Sequence, residues 1–186
     1  MNIKDIINSI YKLPETSLNV LTGLIVEVEY PKNFQLFREN KKGNKCYFIK
    51  KGIARSYAYK DNKEVTFWLG QEGDLIFPLQ TLFMGAEEYA NVELLENSVL
   101  YELNLASLQD LYLNDIHIAN WGRKYAEYAC INSEKLFIQR QFKTSVEIYQ
   151  ELINTHPNII QRVQLGIIAS YLGISQVNLS RIRGKI

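Results

Sequence analysis

The periodicity of the apolar residues changes once along this chain, near Leu103, and that change constrains the fold more than any other feature. From Leu24 up to it, apolar residues come in short β-forming runs separated by turn signals. Ile25, Val26, Val28 and Tyr30 precede Pro31-Lys32-Asn33, and Cys46-Tyr47-Phe48-Ile49 stops at Lys50-Lys51-Gly52. Ile53 to Tyr59 returns as Val65-Thr66-Phe67-Trp68-Leu69 across Lys60-Asp61-Asn62-Lys63. After the turn Gln71-Glu72-Gly73-Asp74, the runs Leu75-Ile76-Phe77, Val92-Glu93-Leu94-Leu95 and Val99 to Leu103 close the series. Short strands of β-branched and aromatic residues, joined by turns with no long helix between them, specify an antiparallel roll or sandwich. Ahead of them, the chain to Gly23 reads as short helices interrupted at Pro14.

Beyond Leu103 the pattern is helical. Asn104 or Ser107 can cap a helix through Leu113, and an uninterrupted stretch follows from about Asp115 to Arg140. A helix of about 25 residues is about 37 Å long, more than a small domain needs to cover its own core. Two seams repeat along it at spacings of three and four. One is small, with Ala119, Gly122, Ala126, Ala129 and Ser133; the other is bulky, with Ile118, Trp121, Tyr125 and Tyr128. Burial of both seams within one subunit is one reading. The length favours the other, a dimer helix whose small seam admits a partner helix while the aromatics pack on the sheet domain. Thr144-Ser145-Val146-Glu147 fits a capping box opening a further helix that stops before Pro157. The expected units are 1–114, a sensor domain; 115–141, the long dimerisation helix; and 142–186, a small helical domain. The fold class is α+β: an N-terminal antiparallel β-roll of the jelly-roll or double-stranded β-helix kind, then helices.

Net charge is only +1, but its distribution is uneven. No Lys or Arg occurs from Glu64 to Gly122, whereas from Leu152 to Ile186 there is Arg162, Arg181, Arg183 and Lys185 and no Asp or Glu. A basic segment free of acids points to a polyanionic partner. That segment also holds the most specific pattern in the chain. With Leu165 as the first position of a helix-turn-helix, Ile168 is apolar at the fourth, Ala169 small at the fifth and Leu172 apolar at the eighth. Gly173 then falls at the ninth, Ile174 at the tenth, Leu179 at the fifteenth and Ile182 at the eighteenth. Ala169 lets the second helix cross, Gly173 takes the positive φ that ends the first, and Ser175 caps the next. The second helix, Gln176 to about Arg183, presents Gln176, Asn178, Ser180, Arg181 and Arg183 outward. Gln and Asn pair with adenine and Arg with guanine in the major groove, while Ser175 at the helix start and the basic residues suit phosphates.

These residues carry a family resemblance. Tyr47 to Gly52 with its hairpin, Gly70-Gln71-Glu72-Gly73-Asp74-Leu75-Ile76, the long helix, and Gln161-Arg162-Val163 through Ile168 to Ser175 and Leu179 to Arg183 resemble the Crp/Fnr family of bacterial transcription factors over nearly the whole chain. The resemblance implies a cyclic-nucleotide-binding-type β-roll and a homodimer through the long helix, with one recognition helix per subunit in successive major grooves. Arg181 falls where the family places a base- or backbone-contacting Arg. Double-stranded DNA and a second copy of the chain are the implied partners; RNA polymerase and an unidentified small-molecule effector are further ones the reading admits. Cyclic-nucleotide binders of this fold use a Gly-Glu pair for the ribose and an Arg for the phosphate. The aligning stretch here has Phe77-Pro78 and then Glu87-Glu88-Tyr89-Ala90. Burying a phosphate without a cation is costly, so cyclic AMP and cyclic GMP are not expected to bind tightly. Gly73, Phe77, Leu79 and Tyr89 are the candidate effector-pocket residues.

Other chemistries are disfavoured. Two cysteines, Cys46 and Cys130, cannot ligate an iron–sulfur cluster or build a zinc site alone. The strand region has no His for a metal-holding roll, and His117 and His156 fall on helices, so no metal, cofactor or catalytic residue is expected and the chain does not read as an enzyme. No apolar run approaches the ~18 residues of a membrane span, and Met1 to Tyr11 does not read as a signal peptide, which points to the cytoplasm. The competing reading is a non-DNA signalling or scaffold protein whose C-terminal helices bind a protein partner.

Overall fold

The computed structural model describes residues 1–184. Two short helices, α1 (Ile3–Ile10) and α2 (Glu15–Gly23), precede eight strands: β1 (Val26–Tyr30), β2 (Gln35–Phe37), β3 (Lys45–Lys51), β4 (Ala54–Lys60), β5 (Lys63–Gly70), β6 (Leu75–Ile76), β7 (Asn91–Leu94) and β8 (Ser98–Asn104). They form two antiparallel sheets of four strands, ordered β1-β8-β3-β6 and β2-β7-β4-β5. The strands alternate between the sheets' two sides as the pleat requires. From β3, Tyr47 and Ile49 point between the sheets with Phe37, Ala54, Ile76, Val92, Leu94 and Leu100. Its other face, Cys46 and Phe48, joins a helix-covered core. The β4–β5 turn has Asp61 and Asn62 both at positive φ, as a two-residue hairpin of primed type demands. The β-roll with a helical C-terminal part agrees with the fold class expected from the sequence.

A helix the sequence reading did not assign, α3 (Leu79–Met84), lies between β6 and β7. It has six residues, too few for a period to show, and ends on Gly85 in the left-handed region. After β8 come α4 (Leu105–Asn114), capped by the Asn104 side chain, and α5 (Ile116–Phe142), capped by Asp115. The remaining helices are α6 (Ser145–Thr155), α7 (Pro157–Arg162), α8 (Leu165–Leu172) and α9 (Gln176–Arg183). Thr144 and Glu147 form both halves of the capping box at α6. Pro157 ends α6 but also opens α7, being tolerated at a first helical turn, which needs no amide donor there.

The first half of α5 is buried against the sheet domain. Ile118 and Trp121 are fully buried, and the Trp121 indole donates to the Ile7 carbonyl at 2.9 Å. Phe48, Phe77 and Tyr125 surround that indole, Phe77 and Tyr125 with ring centres 4.6 Å apart. The long helix thus turns Ile118, Trp121 and Tyr125 of its bulky seam inward, while Tyr128 is exposed. The small seam differs from expectation. Gly122 is buried too, beneath Tyr112 of α4, where an added Cβ would come 2.5 Å from the phenol oxygen. Tyr112 takes the space a partner helix was expected to take, so Gly122 serves packing within the chain. Ala126 and Ala129 are half-buried. Apart from Ile116 at its first position, the large apolar residues of α5 that stay exposed are farther along: Tyr128, Ile131, Phe137, Ile138 and Phe142.

Gly122→Val is expected to destabilise the fold by about 1–3 kcal/mol, because overpacking forces Tyr112 and its helix apart. Urea unfolding at two protein concentrations checks it. A loss appearing only as weakened self-association would contradict the intrachain role.

Candidate nucleic-acid interface

Helices α8 and α9 meet as the sequence pattern requires. Gly173 has φ 70°, and its left-handed turn ends α8 without the clash a Cβ would bring. Ser175 then caps α9, its hydroxyl accepting the Asn178 amide at 3.2 Å. Ile168, Ala169, Leu172 and Leu179 are buried between the helices and against Tyr149, Leu152 and Ile159. Burying that side of α9 leaves Gln176, Val177, Asn178, Ser180, Arg181 and Arg183 exposed, with Ser175 at the helix start also exposed. Among the described residues no carboxylate lies within ion-pair distance of Arg181 or Arg183. Lys185, counted in the basic stretch, lies outside the described residues.

Arg162 belongs to the same basic stretch but is committed elsewhere. At the end of α7, its guanidinium bonds both carboxylate oxygens of Glu72 at 2.7 and 3.0 Å and also pairs with Glu96. Glu72 lies in the β5–β6 turn and Glu96 in the β7–β8 turn, so one Arg is clamped by two turns of the roll. The same Glu72 carboxylate accepts the Gly52 amide at 2.9 Å. Burial would raise the Glu72 carboxyl, but Arg162 and the Gly52 amide outweigh it and hold the group at about 2. Beside the clamp, Ser170 of α8 accepts the Thr66 amide at 3.0 Å and donates to the Glu64 carbonyl at 3.1 Å, both on the free edge of β5. Ile53, at the β3–β4 turn, is fully buried in the helical cluster. The helical unit is therefore docked on the roll by an ion pair, a strand-edge hydroxyl and an apolar plug.

Under the docked helices the roll carries a buried Arg55. It bonds Glu93 at 2.7 Å, pairs with Glu64 and lies 4.2 Å from the Tyr57 ring centre. A polar cleft of about 270 Å³ opens there, with Lys32, Arg55, Glu93 and Arg162 on its walls. A second cleft of about 250 Å³ lies between the end of α5, α8 and β5, next to Arg140 and Tyr171.

The four candidate effector residues are not gathered into one site. Phe77 is drawn into the aromatic cluster around Trp121, Leu79 packs at the start of α3, and Gly73 is backed by the Met1 side chain. Tyr89 is exposed and tilts over Phe67. None of the four lines either cleft. Between β6 and β7 the buried polar residue is instead Glu88, which accepts the Thr81 amide at 2.9 Å and its hydroxyl at 2.8 Å.

Residues 27–115 match the family described as the cyclic nucleotide-binding domain. Among curated proteins no sequence matches significantly. Solved structures do. A protein from Eubacterium rectale assigned to the Crp/Fnr family of transcriptional regulators is 14% identical, with TM-score 0.73 over 93% of this chain and 83% of that one. FixK2 from Bradyrhizobium japonicum is 18% identical, with TM-score 0.70 over 87% and 83%. The regulatory domain of Toxoplasma gondii PKA, crystallised with cAMP, is 22% identical, with TM-score 0.54 over 58% of this chain and 42% of that one. At these identities the structural likeness is one of fold.

Within the matched residues, the β6–β7 segment supplies its own anion. The Glu88 carboxylate already uses the Thr81 donors, and Thr81 is further held by the Gly43 amide at 3.1 Å. Nothing in the pattern Glu87-Glu88-Tyr89 tells which of the two acids turns inward. Nor does the sequence disclose the Arg162 clamp, since Glu72, Glu96 and Arg162 are far apart in the chain.

The Glu72 carboxyl is lowered from an ordinary 4.5 to about 2, so its contribution to stability is complete above pH 4.5 and is lost as pH falls from there toward 2. Urea unfolding across acid pH should show the gap between the protein and its Glu72→Gln variant closing over that window. A gap constant down to pH 2 would mean the carboxylate is not what the clamp depends on.

Proposed function

We propose that this chain is a non-enzymatic, DNA-binding transcriptional regulator of the Crp/Fnr type, acting as a homodimer on a near-palindromic site, with α9 as its recognition helix. The observation that carries the reading is the outer face of α9, where Gln176, Asn178, Ser180, Arg181 and Arg183 are all exposed and carry no acid. A helix held by a buried Leu179 and capped by Ser175 presents those groups on a rigid support, as base reading demands. The fold shared with FixK2 and the Eubacterium rectale protein supports the same reading.

The dimer forms through the second half of α5. Tyr128, Ile131, Ile138 and Phe142 lie one above another at heptad spacing and are exposed in the single chain, Phe142 by 83%. Lys135 interrupts the seam. Exposed residues of this size on one helix stripe need a partner. The roll does not hold cyclic AMP tightly, because the Glu88 carboxylate occupies the donors of Thr81 and would repel a phosphate. RNA polymerase remains a partner of the active complex in this reading. Among the described residues no helix is long and apolar enough to cross a membrane.

Selection from random duplex DNA tests the function. An enriched two-fold site with half-sites about 34 Å apart is expected, with affinity falling steeply as salt rises. Arg181→Ala should weaken binding to the selected site by about 1–3 kcal/mol. Recovery of no sequence at low or moderate salt would favour a protein-binding role for the helices instead. Ile131→Glu combined with Ile138→Glu should give a monomer in analytical ultracentrifugation that still folds; a dimer unaffected by both would place the interface elsewhere.

A further inference from the structure

We propose that Arg162 is a positioning residue. Held by Glu72 and Glu96, it fixes the angle at which the helical head is presented, and so sets affinity for paired half-sites without touching DNA. This rests on the DNA-binding reading and adds to it the element that orients the recognition helix.

The argument begins with what joins the head to the rest of the chain. Covalently it hangs from α5 through Lys143 and Thr144, both extended, where φ/ψ changes come easily. Two hydrogen bonds brace that joint on one side, Lys143 and Gln139 each reaching Glu151 of α6. Arg140 of α5 also lies over the Tyr171 ring of α8, 5.8 Å from its centre, and the other contacts that orient α8, and with it α9, are with the roll. Those contacts differ in kind. Ile53 is a plug that tolerates small rotations, and Ser170 is a single hydroxyl on a strand edge. The Arg162 clamp is directional: a planar guanidinium satisfied on two edges by two carboxylates from separate turns. The clamp side chains are about 30% exposed, Arg162 at 29%, Glu72 at 28% and Glu96 at 30%, shielded enough to be screened less than a surface pair.

The clamp is also connected to the interior of the roll. Glu72 holds the Gly52 amide next to Ile53, the apolar plug. Two residues on from Glu72, Asp74 is followed directly by β6 and then by α3, whose Thr81 is tied to Glu88. Glu72 and α3 thus lie on one short segment, whose β6 is paired with β3. With the clamp closed, both heads of a dimer are held at a fixed angle; with it open, each still carries an intact α9 face. Single half-site affinity should then be insensitive to the clamp, and full-site affinity sensitive to it.

The test uses the full chain and three variants, Arg162→Gln, Arg162→Lys, and Glu72→Gln combined with Glu96→Gln. One readout is amide exchange in β5, where the Thr66 amide is held by Ser170. The other is binding to duplexes carrying one or two half-sites of the selected sequence. Arg162→Gln and the double acid variant should each speed Thr66 exchange and weaken full-site binding about five- to tenfold, within the usual range of coupling between sites, with half-site binding unchanged. Arg162→Lys should restore part of the loss. If the double acid variant binds both duplexes as well as or better than the unaltered protein while Arg162→Gln weakens both, Arg162 is a phosphate contact and the proposal is overturned. Tighter full-site binding by either open-clamp variant would make the contact inhibitory and overturn it as well, as would unchanged Thr66 exchange in both. Faster exchange in a protein that binds no DNA at all would uphold the clamp and remove the DNA reading beneath its role.

Discussion

Much of this molecule is organised around one indole. Trp121 is fully buried, gives its N–H to the Ile7 carbonyl and lies among Phe48, Phe77 and Tyr125. Those partners come from α1, β3, the segment after β6 and α5 itself. A buried indole needs one hydrogen-bond acceptor and a large apolar surround, and both are met here by parts of the chain over a hundred residues apart. The consequence is that the start of α5 cannot move independently of the sheet. Its far half, beyond Tyr125, has no such hold, which is why the exposed apolar residues collect there.

The features legible in the sequence were those with a local physical cause. Asp61-Asn62 takes positive φ at both positions because the hairpin twist demands it, and Asn and Asp tolerate that region. Thr144 and Glu147 satisfy each other's donors whatever surrounds them. Gly173 and Ser175 end one helix and begin the next for reasons confined to a few residues. What was not legible depends on distant neighbours. The two seams of α5 share one period, so spacing cannot say which is covered, and the answer came from Tyr112 lying on Gly122. Phe77 was a candidate pocket residue because it lies in the stretch that aligns with the nucleotide-binding segment; the aromatic cluster claims it instead. The six residues of α3 carry no period at all, although Pro78 before them and Gly85 after them were readable as stops.

Charge was the most misleading quantity and then the most useful one. Counted along the chain, Arg162 belongs with Arg181 and Arg183 as part of an acid-free basic segment. In space it belongs with Glu72 and Glu96, from the segment that has no cation of its own. The asymmetry of the sequence therefore has two destinations. One arginine neutralises the acidic roll and joins the two halves of the molecule; the two on α9 remain exposed. Only the second kind of charge can serve an outside polyanion, and separating them leaves a smaller but better-placed basic surface than composition alone suggests.

Two acids of the roll, the buried Glu88 and the half-buried Glu72, make a pair of opposites. Glu88 is turned inward and satisfied by neutral donors of Thr81, so those two donors are already taken. Glu72 is satisfied mainly by a cation from another unit of the chain, so it spends its charge on docking. Of the fold's two ways to use an anion, occupying the interior and bridging to the helices, this chain supplies both from its own side chains.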